Sequence, residues 1–252
     1  MKVCHIKLFL STILIGLCLS QPCLGQGKFH RFTYFGVEIG TKNEIFQLND
    51  SGNELYQKRN FQHGLSGLFI EQELNRWFNV GTGIYFTQYS SDFRFRRDDG
   101  FYSLPTMRTI MTPLRLQLTI PIYYGIPEIR IKPGIGVMTV FNRSQSRDSL
   151  FGKIAPVLSD QYTGTIRYDF QQYYFLAEAG MHLELLFAKG IVAGLSAQYH
   201  YGFSTVAETN IQYQIDKKIF AGTFSSSGDF FNISLSVKYP ISRWWNSRAV
   251  SR

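Results

Sequence analysis

The sequence predicts an all-β protein: an up-and-down antiparallel transmembrane β-barrel of about eight strands, with short turns at one end and long loops at the other. Three observations predict it. Aromatic residues make up 16% of the 252-residue chain, with 22 Phe and 15 Tyr, yet its mean hydropathy is only −0.10. Period-two alternation of apolar and polar residues returns in segments of about ten, the length a tilted strand needs to cross hydrocarbon. The stretches between those segments alternate long and short. Beyond the first residues no apolar run approaches the roughly 20 residues of a spanning helix, which excludes a helical membrane bundle.

The chain opens as an export signal does. Lys2, His5 and Lys7 precede an apolar run from Leu8 to Leu19, followed by the polar Ser20, Gln21 and Pro22. Cys23 and Gly25 are the small residues that place a cut before Gln26, so residues 1–25 read as a signal peptide and 26–252 as one barrel domain. All three cysteines (Cys4, Cys18, Cys23) lie before that cut. The mature chain is therefore expected to have no disulfide and no thiolate metal site. Its charge falls from +8 to about +6 once two lysines leave with the signal, a modest excess better matched to anionic lipid than to nucleic acid, which an exported chain does not meet.

The first alternating segment runs from Phe32 to Thr41, with Thr33, Phe35, Val37 and Ile39 read as facing lipid and Tyr34, Gly36, Glu38 and Gly40 as facing the lumen. A polar stretch from Lys42 to Asn60 leads to a second strand, Phe61 to Glu71. A tight turn at Leu74-Asn75-Arg76 starts the third, Trp77 to Tyr89, with Gly81, Gly83 and Tyr85 inward. After Ser90 to Thr106 comes the fourth, Arg108 to Ile120, with Leu114, Leu116, Leu118 and Ile120 outward and Arg115, Gln117 and Thr119 inward. Pro121 to Glu128 is a short connection. The fifth, Ile129 to Phe141, sets Ile129, Ile131, Ile135 and Val137 against Arg130, Lys132, Gly134 and Gly136.

Asn142 to Gln171 reads as the longest irregular stretch. The sixth strand, Gln172 to Leu186, opposes Tyr173, Phe175, Ala177, Ala179, Met181 and Leu183 with Tyr174, Glu178, Gly180, His182 and Glu184. A turn at Ala188-Lys189-Gly190 leads to the seventh, Ile191 to Phe203, and a polar stretch from Ser204 to Asp229 leads to the eighth, Phe230 to Tyr239. Within that stretch Thr209 to Phe224 also alternates. It reads as a hairpin prolonging strands seven and eight above the membrane, or as two further crossings that make ten.

Several blocks in order resemble the outer-membrane β-barrel proteins of Bacteroidetes-type bacteria, the PorT-like barrels among them. They are Gly64-Leu65-Ser66-Gly67 with Phe78-Asn79-Val80-Gly81-Thr82-Gly83-Ile84-Tyr85, Pro113-Leu114-Arg115-Leu116 with Lys132-Pro133-Gly134-Ile135-Gly136-Val137, and Ala177 to Glu184 with Leu195 to Gly202. The resemblance implies a bacterial outer-membrane location and partnership in protein secretion or surface assembly. The end departs from the family pattern, because Pro240 to Arg252 continues past Tyr239 with Trp244 and Trp245, residues suited to a membrane interface.

On this reading the lumen holds Glu38, Arg115, Arg130, Lys132, Glu178, His182, Glu184, Gln198, His200 and Lys238. Eight strands leave an interior just wide enough for side chains to fill, so these charges are expected to form a paired internal network rather than line a pore. His182 between Glu178 and Glu184 invites a metal or general-base reading, but a transition-metal site wants three or four convergent ligands; no metal and no cofactor are expected. Arg94, Arg96 and Arg97 in an outer loop are candidate contacts to lipopolysaccharide phosphates, with a solvated loop as the plain alternative. Arg143 and Arg147 fall in another such loop. The expected function is a non-enzymatic, monomeric outer-membrane component whose partners are lipid, lipopolysaccharide and proteins of a secretion or assembly system. The rival is a lipid-A or phospholipid hydrolase using His63 or His200 with Ser66 or Ser196. A soluble periplasmic β-sandwich is the rival at the level of fold.

Overall fold

The computed structural model describes residues 32–241 apart from 57–61, 90–91, 97–101, 104–106, 144–153, 159–162, 188–189 and 216. The proposed signal and Trp244 and Trp245 lie outside the described residues. Strands account for nearly all of it: β1 (Thr33–Glu44), β2 (Gln47–Asp50), β3 (Leu55–Tyr56), β4 (Gln62–Glu73), β5 (Phe78–Tyr89), β6 (Asp92–Phe95), β7 (Tyr102–Ser103), β8 (Met107–Leu118), β9 (Ile120–Tyr123), β10 (Glu128–Arg143), β11 (Ile154–Leu158), β12 (Thr163–Phe170), β13 (Tyr173–Leu186), β14 (Val192–Gly202), β15 (Ala207–Ile215), β16 (Lys218–Ser226) and β17 (Phe230–Pro240).

Eight long strands, β1, β4, β5, β8, β10, β13, β14 and β17, pair antiparallel in chain order, and β17 pairs back onto β1 from Tyr34↔Pro240 to Glu44↔Phe230. The sheet is a closed barrel with no free edge. Its outer face is a belt of exposed apolar residues, among them Val37 and Ile39 on β1, Leu68 and Ile70 on β4, Ile135 and Val137 on β10, and Ile233, Leu235 and Val237 on β17. A soluble protein does not leave an apolar surface of that extent to water. Aromatics border it: Trp77, Phe78 and Tyr239 at the short-turn end, Phe86, Tyr173, Tyr199 and Tyr201 at the loop end.

The short turns are held by local hydrogen bonds. Asn75 Oδ1 accepts from the amides of Trp77 and Phe78 at 2.8 and 2.9 Å, and Gly190 takes a φ of 83° that a side chain would resist. The remaining short connection, between β8 and β10, differs from the expected one. The strand that was to end at Ile120 breaks at Thr119, whose amide turns to the Trp77 carbonyl, and resumes as β9, paired to β10 across a register shift at Ile129/Arg130.

The long connections hold a second sheet. Thr209 to Phe224 is the expected hairpin outside the barrel: β15 and β16 pair with each other and with β12 and β2 in a sheet of order β11-β12-β15-β16-β2, and the barrel has the expected eight strands. The stretch from Asn142 to Gln171, read as irregular, contains β11 and β12 of that sheet. With the β3-β6-β7 pairings it forms a head built on its own core of Leu55, Phe93, Phe95, Ile166, Tyr168, Ile211, Tyr213 and Phe224. Asp50 pins the head. Its carboxylate accepts from the amides of Gly52, Glu54 and Leu55 at 3.2, 2.7 and 2.7 Å and from the Tyr213 hydroxyl at 2.8 Å. Burial and the adjacent Asp50 carboxylate raise the Tyr213 phenol above its ordinary range.

Phe95 is fully buried in that core and packs edge-on against Tyr213 at 5.2 Å. Phe95→Ala should cost the head about 3–5 kcal/mol. Limited proteolysis should then cut within the head at lower protease, while the barrel keeps its heat-sensitive mobility on a detergent gel.

Candidate functional site

Alternation decides which side chains enter the lumen, and what they find there is ordered by depth. At the short-turn mouth lies a cavity of about 450 Å³ lined in part by Tyr34, Glu73, Arg76, Trp77, Tyr124, Glu128 and Arg130. Arg130 makes two bonds to Glu128, at 2.8 and 3.2 Å, and stands 3.8 Å from Glu73. It is half-buried and belongs to this mouth, apart from the deeper network with which it was grouped.

One level in, four charges from four strands meet. Lys132 pairs with Glu71 and, at 3.2 Å, with Glu184; Lys238 pairs with Glu71 at 2.7 Å and Glu184 at 2.5 Å. All four are buried and their charges sum to zero. Burying an ion costs several kcal/mol that only close, multiple pairing returns, and here each lysine holds both carboxylates.

The middle level is centred on Arg115. Its Nε donates to Glu178 at 2.6 Å, Nη1 to the Tyr85 hydroxyl at 2.8 Å and Nη2 to Gln198 at 3.3 Å, and Glu38 lies 3.5 Å from Nη1. Tyr85 donates to Glu38 at 2.7 Å, and Ser234 also donates to Glu38. His182 Nε2 meets the Gln198 amide nitrogen at 3.0 Å, while His200 Nε2 meets Asn232 Oδ1 at 2.9 Å and its Nδ1 faces Glu178 at 3.8 Å. Gly67 makes this arrangement fit, because a Cβ there would overlap the ring of Tyr85. Between the two charged levels is a void of about 20 Å³, the size of one water.

Above Arg115 the lumen turns apolar. Leu65, Tyr89, Met107, Met111, Met138, Val140, Tyr174, Leu176 and Phe230 pack into a plug under the head. Inside it sits one ion pair, Lys42–Glu44, with the ammonium 4.7 Å from the Phe230 ring centre and 5.5 Å from that of Tyr89. Between the mouth cavity and the head, the described side chains occupy the lumen as two charged levels and an apolar plug.

The network thus joins Glu38, Arg115, Lys132, Glu178, His182, Glu184, Gln198, His200 and Lys238. Sequence reasoning missed Glu71, which ended the second strand with no face assigned, and Lys42 and Glu44, which were left in a loop. The run Gly36, Glu38, Gly40, Lys42, Glu44 continues one parity and could have found the last two. Arg94 lies over the Tyr56 ring at 4.2 Å and Arg96 bonds Asn53 at 3.3 Å, so both are engaged within the head; Arg97 lies outside the described residues.

Two of the histidine–serine pairs that a hydrolase would need are apart. His63 and Ser66, three apart on β4, point to opposite faces, and Ser196 is four residues from His200 on β14, about 13 Å along a strand. Ser196 pairs with Ser234 at 2.5 Å instead. Among the described residues no three His, Cys, Asp or Glu side chains converge as a metal site.

No family model matches the chain, and no curated protein matches it. Among solved structures it is similar to the outer membrane protein OprG from Pseudomonas aeruginosa, at 10% identity over 84% of this chain and 98% of that one, with a TM-score of 0.46. It is also similar to the transport unit of the autotransporter AIDA-I from Escherichia coli, at 8% identity over 91% and 97% of the two chains, with a TM-score of 0.25.

Arg115→Met would leave Glu38 and Glu178 buried with their cation gone, at a cost of about 3–5 kcal/mol. Urea unfolding in lipid vesicles should show that loss. Lys132→Met should cost less, because Lys238 still holds both carboxylates.

Proposed function

We propose that this protein is a non-conducting, non-enzymatic barrel of a bacterial outer membrane, a structural or interaction component that serves protein secretion or surface assembly. The observation that carries the reading is the filled lumen: two paired-charge levels and an apolar plug occupy the axis, so neither a conduit nor an open reaction pocket runs through it. Work then falls to the ends. The head presents a rigid sheet with its own core, and the mouth presents a cavity rimmed by Trp77, Tyr124 and Arg130. The apolar belt between aromatic borders supports the membrane location, the signal-like residues 1–25 support export, and the PorT-like resemblance supplies the assembly role.

Purification from native membranes should bring down a protein partner in fixed ratio. The purified barrel should change gel mobility on heating and give no unitary currents in planar bilayers. Ion-selective currents, or hydrolysis of lipid that Ser196→Ala abolishes, would overturn the reading.

A further inference from the structure

Two arginines close the apolar belt at its loop end. Arg108 stands above Ile110 and Leu114 on β8, and Arg143 stands above Phe141 and Val137 on β10. Both are exposed while their neighbours Thr109 and Asn142 are buried, so the two guanidinium groups leave the barrel on its lipid side. The β8–β10 register sets Arg143 directly opposite Arg108. Cross-strand partners hold their Cβ atoms about 5 Å apart, and like charges at that spacing repel. Neither guanidinium has a hydrogen bond or an ion pair with any described residue.

We propose that Arg108 and Arg143 clamp the phosphate monoester headgroup of a membrane lipid in the leaflet at the loop end. The inference rests on the membrane-spanning reading above. Each guanidinium is a planar, cationic fork that grips phosphate oxygens in pairs. A monoester near pH 7 carries close to two negative charges and neutralises the pair, whereas a diester carries one. Directly below Arg143, the rings of Phe141 and Tyr173 pack at a tilt of 31° with centres 4.8 Å apart, giving the first acyl carbons an apolar shelf beneath the bound phosphate. Gln88, opposite Arg108 on the other side, adds an amide donor to the same level.

The test titrates the full-length barrel in neutral detergent with phosphatidic acid and counts bound lipid by native mass spectrometry. One lipid per barrel is expected, held more tightly than phosphatidylglycerol, a diester. Arg108→Gln/Arg143→Gln should weaken it about tenfold or more, whereas Lys217→Gln/Lys218→Gln in the head should not change it. In lipid-free detergent the arginine double variant should melt no lower than the parent, because a repulsion has been removed, and phosphatidic acid should raise the melting point of the parent alone. Equal retention by the arginine double variant overturns the clamp, and so does equal protection by inorganic phosphate, which would make it a free-anion site. Failure of the parent chain to enter vesicles removes the membrane reading and the clamp together; entry with unchanged lipid retention removes the clamp alone.

Discussion

Hydrocarbon outside and a girth of eight strands inside leave the lumen as the one place where this barrel can put polar side chains, and it is too narrow for bulk water to satisfy them. The charges of the two buried levels find their partners on other strands. Arg115 is where that demand is greatest. It reaches Glu178 on β13, Gln198 on β14, Tyr85 on β5 and Glu38 on β1, so one side chain ties together strands from around the circumference. The Lys132, Lys238, Glu71 and Glu184 level repeats the device with two cations. The cross-bracing links strands on opposite sides of the barrel through its interior.

The head obeys a different rule. It lies beyond the apolar belt, where water can satisfy backbone groups, and it holds together as a soluble domain does, by burying Phe93, Phe95, Ile211 and Phe224 against one another. Its strand β2 comes from the first long connection and β16 from the last, so the loops lock onto each other above the barrel. Asp50 and Tyr213 are the polar contact across that junction.

The spanning strands were legible in the sequence because lipid on one side and side-chain packing on the other force a strict alternation, seen in runs such as Leu114, Arg115, Leu116, Gln117. The head was not. Its strands are short, their apolar members sit two or three at a time among polar residues, and their partners are far away in the chain, so that Ile166 and Tyr168 read as loop. Within the lumen, parity shows which way a side chain points but not how deep it lies. Arg130 and Lys132 share a parity, yet one belongs to the mouth and the other to a buried level. Glu71 meets Lys132 and Lys238 only because of the stagger between strands, which parity does not encode.

Closure by β17 onto β1 has a consequence for how the molecule comes into being. The first barrel strand to leave the ribosome waits for the last, so the sheet keeps an open edge until almost the whole chain is present. Such an edge is a template for stray pairing, and contacts between distant parts of a chain form slowly. The edge of β1 is closed only by Phe230 to Pro240, the last barrel strand in chain order.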